Sequence, residues 1–124
     1  MVPLPELLLI HTAVDGDRAL LYIHGEVDLV TGPRLDHALA DVIVGGARHV
    51  HVDLAEVTFC DSTLVHTLLR ARSRAHSYGA ALSLAPGGWP RRLLELTGTK
   101  HLFTLRPTPT ASPAADPGPE PEPA

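Results

Sequence analysis

Side chains that could carry chemistry gather where Asp61, Ser62 and His66 bring a carboxylate, a hydroxyl and an imidazole close together in the chain. On a helix, Ser62 and His66 would share one face because they are four residues apart, as a serine nucleophile and its histidine base could. No G-x-S-x-G motif and no glycine-rich oxyanion loop accompanies them, which disfavours catalysis. Asp and Ser are also common helix-capping residues, and the residue types alone favour that role. We therefore predict that the chain is not an enzyme.

A second polar set precedes the first, where His49, His51 and Asp53 alternate with apolar residues and would project from one face of a strand. Successive members of such a set lie about 6 to 7 Å apart, which is wide for ligands that must approach a cation to about 2 Å. Cys60 is the only cysteine, so neither an intramolecular disulfide nor a thiolate zinc cage can form, and we expect it to be a small buried residue. We predict no metal and no cofactor, and histidines that are exposed or partly buried.

The segment that must position Ser62 predicts a strand followed directly by a helix. Apolar and polar residues alternate from residue 49, and the capping types Asp61 and Ser62 mark the start of the helix. The helical period predicts a packed face and an outward face. The predicted packed face comprises Leu64, Leu68, Ala71, Ala75 and Tyr78, and the outward face comprises His66, Arg70, Ser73, Arg74 and Ser77.

The rest of the chain alternates strand and helix patterns around this unit. Turn residues 15–17 separate two apolar runs and predict an N-terminal β-hairpin. Thr31, Gly32 and Pro33 open a helix that Gly45 and Gly46 stop. A strand at 81–85, a helix from Pro90 and a last strand over 102–105 complete the order. Such alternation predicts an α/β fold, with a mostly parallel mixed sheet of about five strands and helices packed against it.

Residues 107–124 differ in composition from the rest of the chain. The segment from Arg106 onward contains seven of the twelve prolines, and its apolar residues are alanines, so we expect an extended, solvated tail behind a single domain at residues 1–106. The three acids of the tail account for most of the net charge of -4. The nearly neutral domain argues against nucleic-acid binding. No apolar run is long enough to cross a membrane and the N-terminus lacks a signal-peptide pattern, so we expect a cytoplasmic protein.

Three blocks of sequence resemble, in order and spacing, the signature regions of the STAS domain, and more narrowly of the bacterial anti-sigma factor antagonists. They are GEVD at Gly25 to Asp28, VDLAEVTFCDST at Val52 to Thr63, and LLELTGTKHLF at Leu93 to Phe103. The resemblance implies a small sheet backed by helices and no catalysis. It also implies a partner that is an anti-sigma factor of the ATP-dependent serine kinase type.

In that family the serine after the aspartate, here Ser62, is phosphorylated by the kinase and reset by a phosphoserine phosphatase. Phosphorylation releases the kinase, which then captures its sigma factor. We expect the phosphate to point outward, because the Asp61 carboxylate repels it. The partner-binding surface that the resemblance implies comprises Asp28, Asp61, Ser62, Thr63, Leu64, His66 and Arg70.

The chain departs from the family pattern on this surface. The family usually continues D-S-S-G-L-G, whereas this chain has Leu64 and His66 in place of the glycines, and we expect both residues to add bulk at the contact. The alternative to a phosphorylated antagonist is therefore a divergent STAS adaptor that binds a protein partner without phosphorylation.

Single residues also have alternative roles. Asp28 is equally compatible with capping a turn. A solvated face is predicted for four arginines, Arg70, Arg74, Arg91 and Arg92. The alternative is that these arginines bind an acidic partner. The sequence does not indicate an oligomeric state.

Overall fold

The computed structural model describes residues 7–109, in which five strands alternate with three α-helices and one 3₁₀ helix. The order of strands and helices follows the prediction. The elements are β1 (Leu8–Asp15), β2 (Arg18–Val27), α1 (Gly32–Val44), β3 (His49–Cys60), α2 (Ser62–Ser77), β4 (Ala81–Ala85), α3 (Gly88–Leu96), a 3₁₀ helix (Lys100–Leu102) and β5 (Thr104–Leu105).

All five strands form one mixed sheet with the order β1-β2-β3-β4-β5. β1 and β2 pair antiparallel as a hairpin, and the remaining pairs are parallel. The predicted fold class is therefore confirmed. Because β2 and β3 are parallel, their carboxyl ends meet at one edge of the sheet, where Val27 pairs with Cys60. The residues that follow these two strands are brought together at that edge.

The core lies between one face of the sheet and the helices. Val50, Val52 and Leu54 of β3 are buried there, as their alternation predicts, and α1 and α2 pack against each other. The core residues that the helices supply are Leu35, Leu39, Ile43, Leu64, Val65, Leu68, Ala71, Ala75 and Leu94. The opposite face of the sheet carries His11, Tyr22, His51, Asp53 and Ser83, and we call it the polar face.

Two of the predicted details are wrong. Leu102 lies in the 3₁₀ helix and Phe103 caps it, because turn hydrogen bonds from Leu102 N to Thr99 O and from Phe103 N to Lys100 O replace strand pairing. Tyr78 was assigned to the packed face of α2, yet it is exposed because it lies just beyond the last helical residue, Ser77. The helix predicted from Pro90 begins two residues earlier, at Gly88.

The predicted tail begins at residue 107, and the structure describes its first three residues. Thr108 lies against the polar face, where its hydroxyl donates to Oδ2 of Asp53 at 2.7 Å. Residues 110–124 lie outside the described part of the chain, so the domain boundary and the extended tail stay predictions. Among residues 7–109, no helix combines the length and hydrophobicity needed to cross a membrane.

Candidate partner-binding site

The junction between β3 and α2 is fixed by backbone and side-chain hydrogen bonds of Asp61. Its backbone N–H donates to Val27 O at 3.3 Å, which ties the junction to the end of β2. Its Oδ1 accepts from the backbone N–H of Thr63 at 2.8 Å, so Asp61 is the N-cap of α2, as predicted. This places Ser62 as the first helical residue with its side chain exposed.

The other predicted residues of α2 do not all lie on this surface. His66 and Arg70 are exposed and Thr63 is half-buried. Leu64 has 0% exposure and belongs to the core. The expectation that Leu64 adds bulk at the contact is therefore wrong, because an apolar side chain at this position points inward. Of the two positions where the chain departs from the family's glycines, only His66 changes the surface.

Asp28 is engaged with its own loop. Its Oδ1 accepts from the backbone N–H groups of Val30 at 2.9 Å and Thr31 at 3.0 Å. The Thr31 backbone N–H is the main reason that the pKa of the Asp28 carboxyl lies below its ordinary value. The Thr31 hydroxyl donates to Glu26 O at 2.8 Å. These bonds give Asp28 the turn-capping role that the sequence left open, and they hold loop 28–31 in one shape.

A close contact joins the start of α1, directly after this loop, to the start of α2. Gly32 lies so near to Thr63 that a Cβ on Gly32 would come within 2.5 Å of the Thr63 Cγ2 atom. A larger residue at position 32 would therefore require the Thr63 side chain or one of the two helix ends to shift. The contact fixes how closely the starts of α1 and α2 approach each other.

Four apolar side chains in the segments that meet at this edge of the sheet are exposed, and none of them was among the predicted site residues. Leu29 and Val30 are 80% and 82% exposed in the loop after β2. Phe59 is exposed near the end of β3, and Trp89 is held nearby by a hydrogen bond from its Nε1 to Cys60 O at 2.8 Å. Exposed apolar residues that cluster beside polar groups mark interaction sites. The signal in the sequence was the pair Leu29–Val30, which falls in a loop where polar residues are the norm. We call residues 28–30, Phe59, Ser62 and His66 the junction surface.

Cys60 lies beneath this surface and is buried, as predicted. Burial, with a smaller contribution from the Asp61 carboxylate, raises the pKa of its thiol to about 11. The thiol therefore stays protonated at neutral pH and acts as a small hydrophobic group.

The arginines predicted as one solvated face have separate contacts. Arg70 Nε lies 3.2 Å from Oδ1 of Asp36, which links α2 to α1. Arg91 Nε lies 3.6 Å from Oε2 of Glu95 within α3, and Arg92 is exposed. Arg74 is half-buried, so it does not belong to a solvated face. Arg70 is the arginine of this set that lies on the same outward face of α2 as Ser62.

The second polar set lies on the polar face. The Thr108 hydroxyl donates to Asp53, so the 3.1 Å contact with His51 requires His51 Nε2–H to donate to Thr108 Oγ1. Nδ1 of His51 lies 2.7 Å from Ser83 Oγ. Burial lowers the pKa of His51, and Arg106 lowers it further, whereas Asp53 opposes both. In the described residues, no three His, Cys, Asp or Glu side chains are grouped to hold a metal ion.

Known proteins resemble this chain in sequence. The family model described as "Mlab, STAS domain" matches residues 10–106. Anti-sigma-F factor antagonist RsfB of Mycobacterium tuberculosis is 27% identical over 101 residues, which cover 82% of this chain and 83% of RsfB.

Two solved structures have a similar fold. An anti-sigma factor antagonist from Mycobacterium paratuberculosis superposes with a TM-score of 0.72 at 25% identity, over 86% of this chain and 92% of that one. The Bacillus cell fate determinant SpoIIAA, in its phosphorylated form, has a TM-score of 0.62 at 15% identity, over 81% and 91% of the two chains. At that identity the second likeness shows the shared fold alone.

Proposed function

The chain belongs to the STAS domain family, and from this premise we propose that it is an anti-sigma factor antagonist. Its partner is an anti-sigma factor of the ATP-dependent serine kinase type, and binding frees a sigma factor in the cytoplasm. The names of the similar mycobacterial proteins support this role. The observation that carries the proposal is the junction surface, where exposed Leu29 and Val30 follow β2 and an exposed Ser62 follows β3 at the same edge of the sheet.

Phosphorylation of Ser62 switches binding off. The kinase transfers the terminal phosphoryl group of ATP to Oγ of Ser62, the hydroxyl loses its proton and ADP leaves. A phosphoserine phosphatase hydrolyses the ester and restores the serine. SpoIIAA, which shares the fold, has been solved in phosphorylated and unphosphorylated forms, so a protein with this fold can exist in both states.

The charge on the phosphate is large enough to account for the switch. A phosphoserine carries about -1.5 to -2 charge units at pH 7. Burying an uncompensated charge in an interface costs about 3 to 5 kcal/mol, which corresponds to an affinity loss of about a hundredfold to a few thousandfold. No refolding of the domain is needed, because Ser62 is already exposed.

One observation favours the alternative adaptor function. His66 stands on the exposed surface one turn after Ser62, where the family has a glycine. A side chain at this position occupies space that a partner backbone could otherwise enter. In the adaptor interpretation, the same junction surface binds a protein partner and Ser62 is never phosphorylated.

The test is a binding titration of the anti-sigma factor kinases of the source organism against the wild type, Ser62→Ala and Ser62→Asp. We expect one kinase to bind the wild type and Ser62→Ala with similar affinity and Ser62→Asp at least tenfold more weakly, since one carboxylate carries less charge than a phosphate. Ser73→Asp is the matched control, because it adds the same charge to an exposed serine about 16 Å further along α2.

Mass spectrometry after incubation with the bound kinase and ATP completes the test. Modification at Ser62 is expected. Equal affinities for the wild type and Ser62→Asp, with no modification, would rule out the switch and favour the adaptor. Failure of every such kinase to bind the wild type would contradict the antagonist role itself.

A further inference from the structure

Ser62 and His66 lie one turn apart on the exposed side of α2, and we infer that His66 holds the phosphate of phosphorylated Ser62. The inference rests on the proposed function, since it concerns the modified state of the same serine. Both side chains are exposed, and the helix that carries them is regular from Ser62 to Ser77. Residues at positions i and i+4 are surface neighbours with about 5 to 6 Å between their Cβ atoms.

The helix end cannot hold the phosphate itself. Anions often bind the free N–H groups of a helix N-terminus, but in α2 the Asp61 carboxylate already accepts from Thr63 N at 2.8 Å. A phosphate that folded back to this position would meet a carboxylate of the same charge. The phosphate must therefore turn away from the cap, along the helix surface or into solvent.

His66 is the basic side chain best placed along that surface. Long side chains on a helix lean toward its N-terminus, so the imidazole of His66 leans toward Ser62. Arg70 is one turn further away and is paired with Asp36 at 3.2 Å. The charged groups on this side of α2 include Asp61 at the cap and Arg70, which is paired with Asp36 of α1. A protonated imidazole donates an N–H to a phosphate oxygen and forms a charge-assisted hydrogen bond.

This pair moderates the charge that phosphorylation adds to the surface. The imidazolium offsets part of the phosphate charge, so a partner that covers the junction surface buries less uncompensated charge. A glycine at position 66, as the family has, would not offer this compensation.

The test uses the full chain with phosphoserine placed at position 62 by genetic code expansion, so that no kinase is required. The ³¹P NMR signal is followed from pH 4.5 to 8, and its midpoint reports the second ionisation of the phosphate, which is ordinarily at about pH 6. We expect the midpoint in the wild type to lie about 0.2 to 0.4 pH units below that in His66→Gln and His66→Gly. His76→Gln, at an exposed histidine near the end of α2, is the matched control and should leave the midpoint unchanged.

Equal midpoints in the wild type and both His66 variants would overturn the inference. His66→Gln keeps the helix-forming side chain that His66→Gly lacks, so agreement between the two excludes helix fraying as the cause. The outcome is independent of the proposed switch, because phosphoserine is installed directly. If the midpoint differs between the wild type and the His66 variants but no kinase modifies the protein, the switch is refuted and the contact between His66 and the phosphate stands. If a kinase modifies Ser62 but the midpoints are equal, the contact is refuted and the switch stands.

Discussion

The junction surface and the polar face both hold a serine, a histidine and an aspartate, but they use them differently. On the polar face, Ser83, His51, Thr108 and Asp53 form a continuous chain of hydrogen bonds. On the junction surface, Asp28 caps its own loop, whereas Ser62 and His66 face outward. The polar groups of the first set are hydrogen-bonded to one another, whereas Ser62 and His66 of the second set are exposed.

The difference shows that residue type does not by itself identify a binding site. A polar group whose hydrogen bonds are made within the chain contributes to stability and offers little to a partner. The junction surface combines outward polar groups with exposed Leu29 and Val30, which gain free energy when a partner covers them. Substitutions on the two surfaces should therefore change different measured quantities.

The largest effect is expected beneath the junction. Leu64→Ala should lower the free energy of unfolding by about 2 to 5 kcal/mol, because it leaves a cavity under the start of α2. Urea denaturation measures this loss. Leu96→Ala removes the same atoms from an exposed leucine and should change stability by less than about 0.5 kcal/mol. If Leu64→Ala leaves the free energy of unfolding unchanged, the junction does not depend on this core contact.

The apolar part of the junction surface should affect binding without affecting stability. Leu29→Ser is expected to weaken partner binding about tenfold, since it removes an exposed apolar contact. The unfolding midpoint should remain that of the wild type. Calorimetric titration of the partner measures the first quantity, and Leu96→Ser provides the control at a distant exposed leucine. If Leu29→Ser binds the partner with the affinity of the wild type, loop 28–31 is not part of the interface.

The polar face should behave in the opposite way. Thr108→Val keeps the shape of the side chain but removes the hydroxyl that bridges His51 and Asp53, so stability should fall by about 1 kcal/mol. Partner affinity should not change. Thermal unfolding measures the loss of stability. Thr12→Val, at an exposed threonine of β1, is the control, because it also removes a hydroxyl but leaves the hydrogen bonds of Thr108 in place. A weaker partner interaction in Thr108→Val would show that the two surfaces are coupled.

The smallest effect concerns pH. Because the pKa of His51 is lowered in the folded protein, the unfolded chain binds the proton more readily, and stability should fall as the pH drops below about 6.5. Above that value both states are neutral at this residue and its contribution does not vary. His51→Gln should flatten part of this pH profile, whereas His49→Gln, at an exposed neighbour on β3, should not. Equal profiles for the two variants would contradict the assignment to His51.

The elements that the sequence predicted well were those with a local signal. Ala81–Ala85 is an apolar run bounded by glycines and becomes β4, and Asp61 caps α2 as its residue type suggests. The hairpin strands are longer than their apolar runs, because pairing between neighbours such as His11 and Tyr22 extends them into polar sequence.

The parts that could not be predicted depend on contacts between distant residues. The helical period placed Leu64 on the packed face of α2, where it is buried, whereas the comparison with the family's glycines wrongly placed it at the partner contact. Thr108 joins the polar face through partners 55 and 57 residues away, and composition alone placed it in a solvated tail. The position of loop 28–31 beside Ser62 follows from parallel pairing of β2 with β3.

The anchoring of Thr108 also bears on how the protein can be attached to other molecules. Its contact at Asp53 lies eight residues before Asp61, which is about 26 Å along a strand. A label attached directly at position 109 is thus held at mid-sheet, away from the end where Ser62 stands. Such a label should leave the docking end accessible.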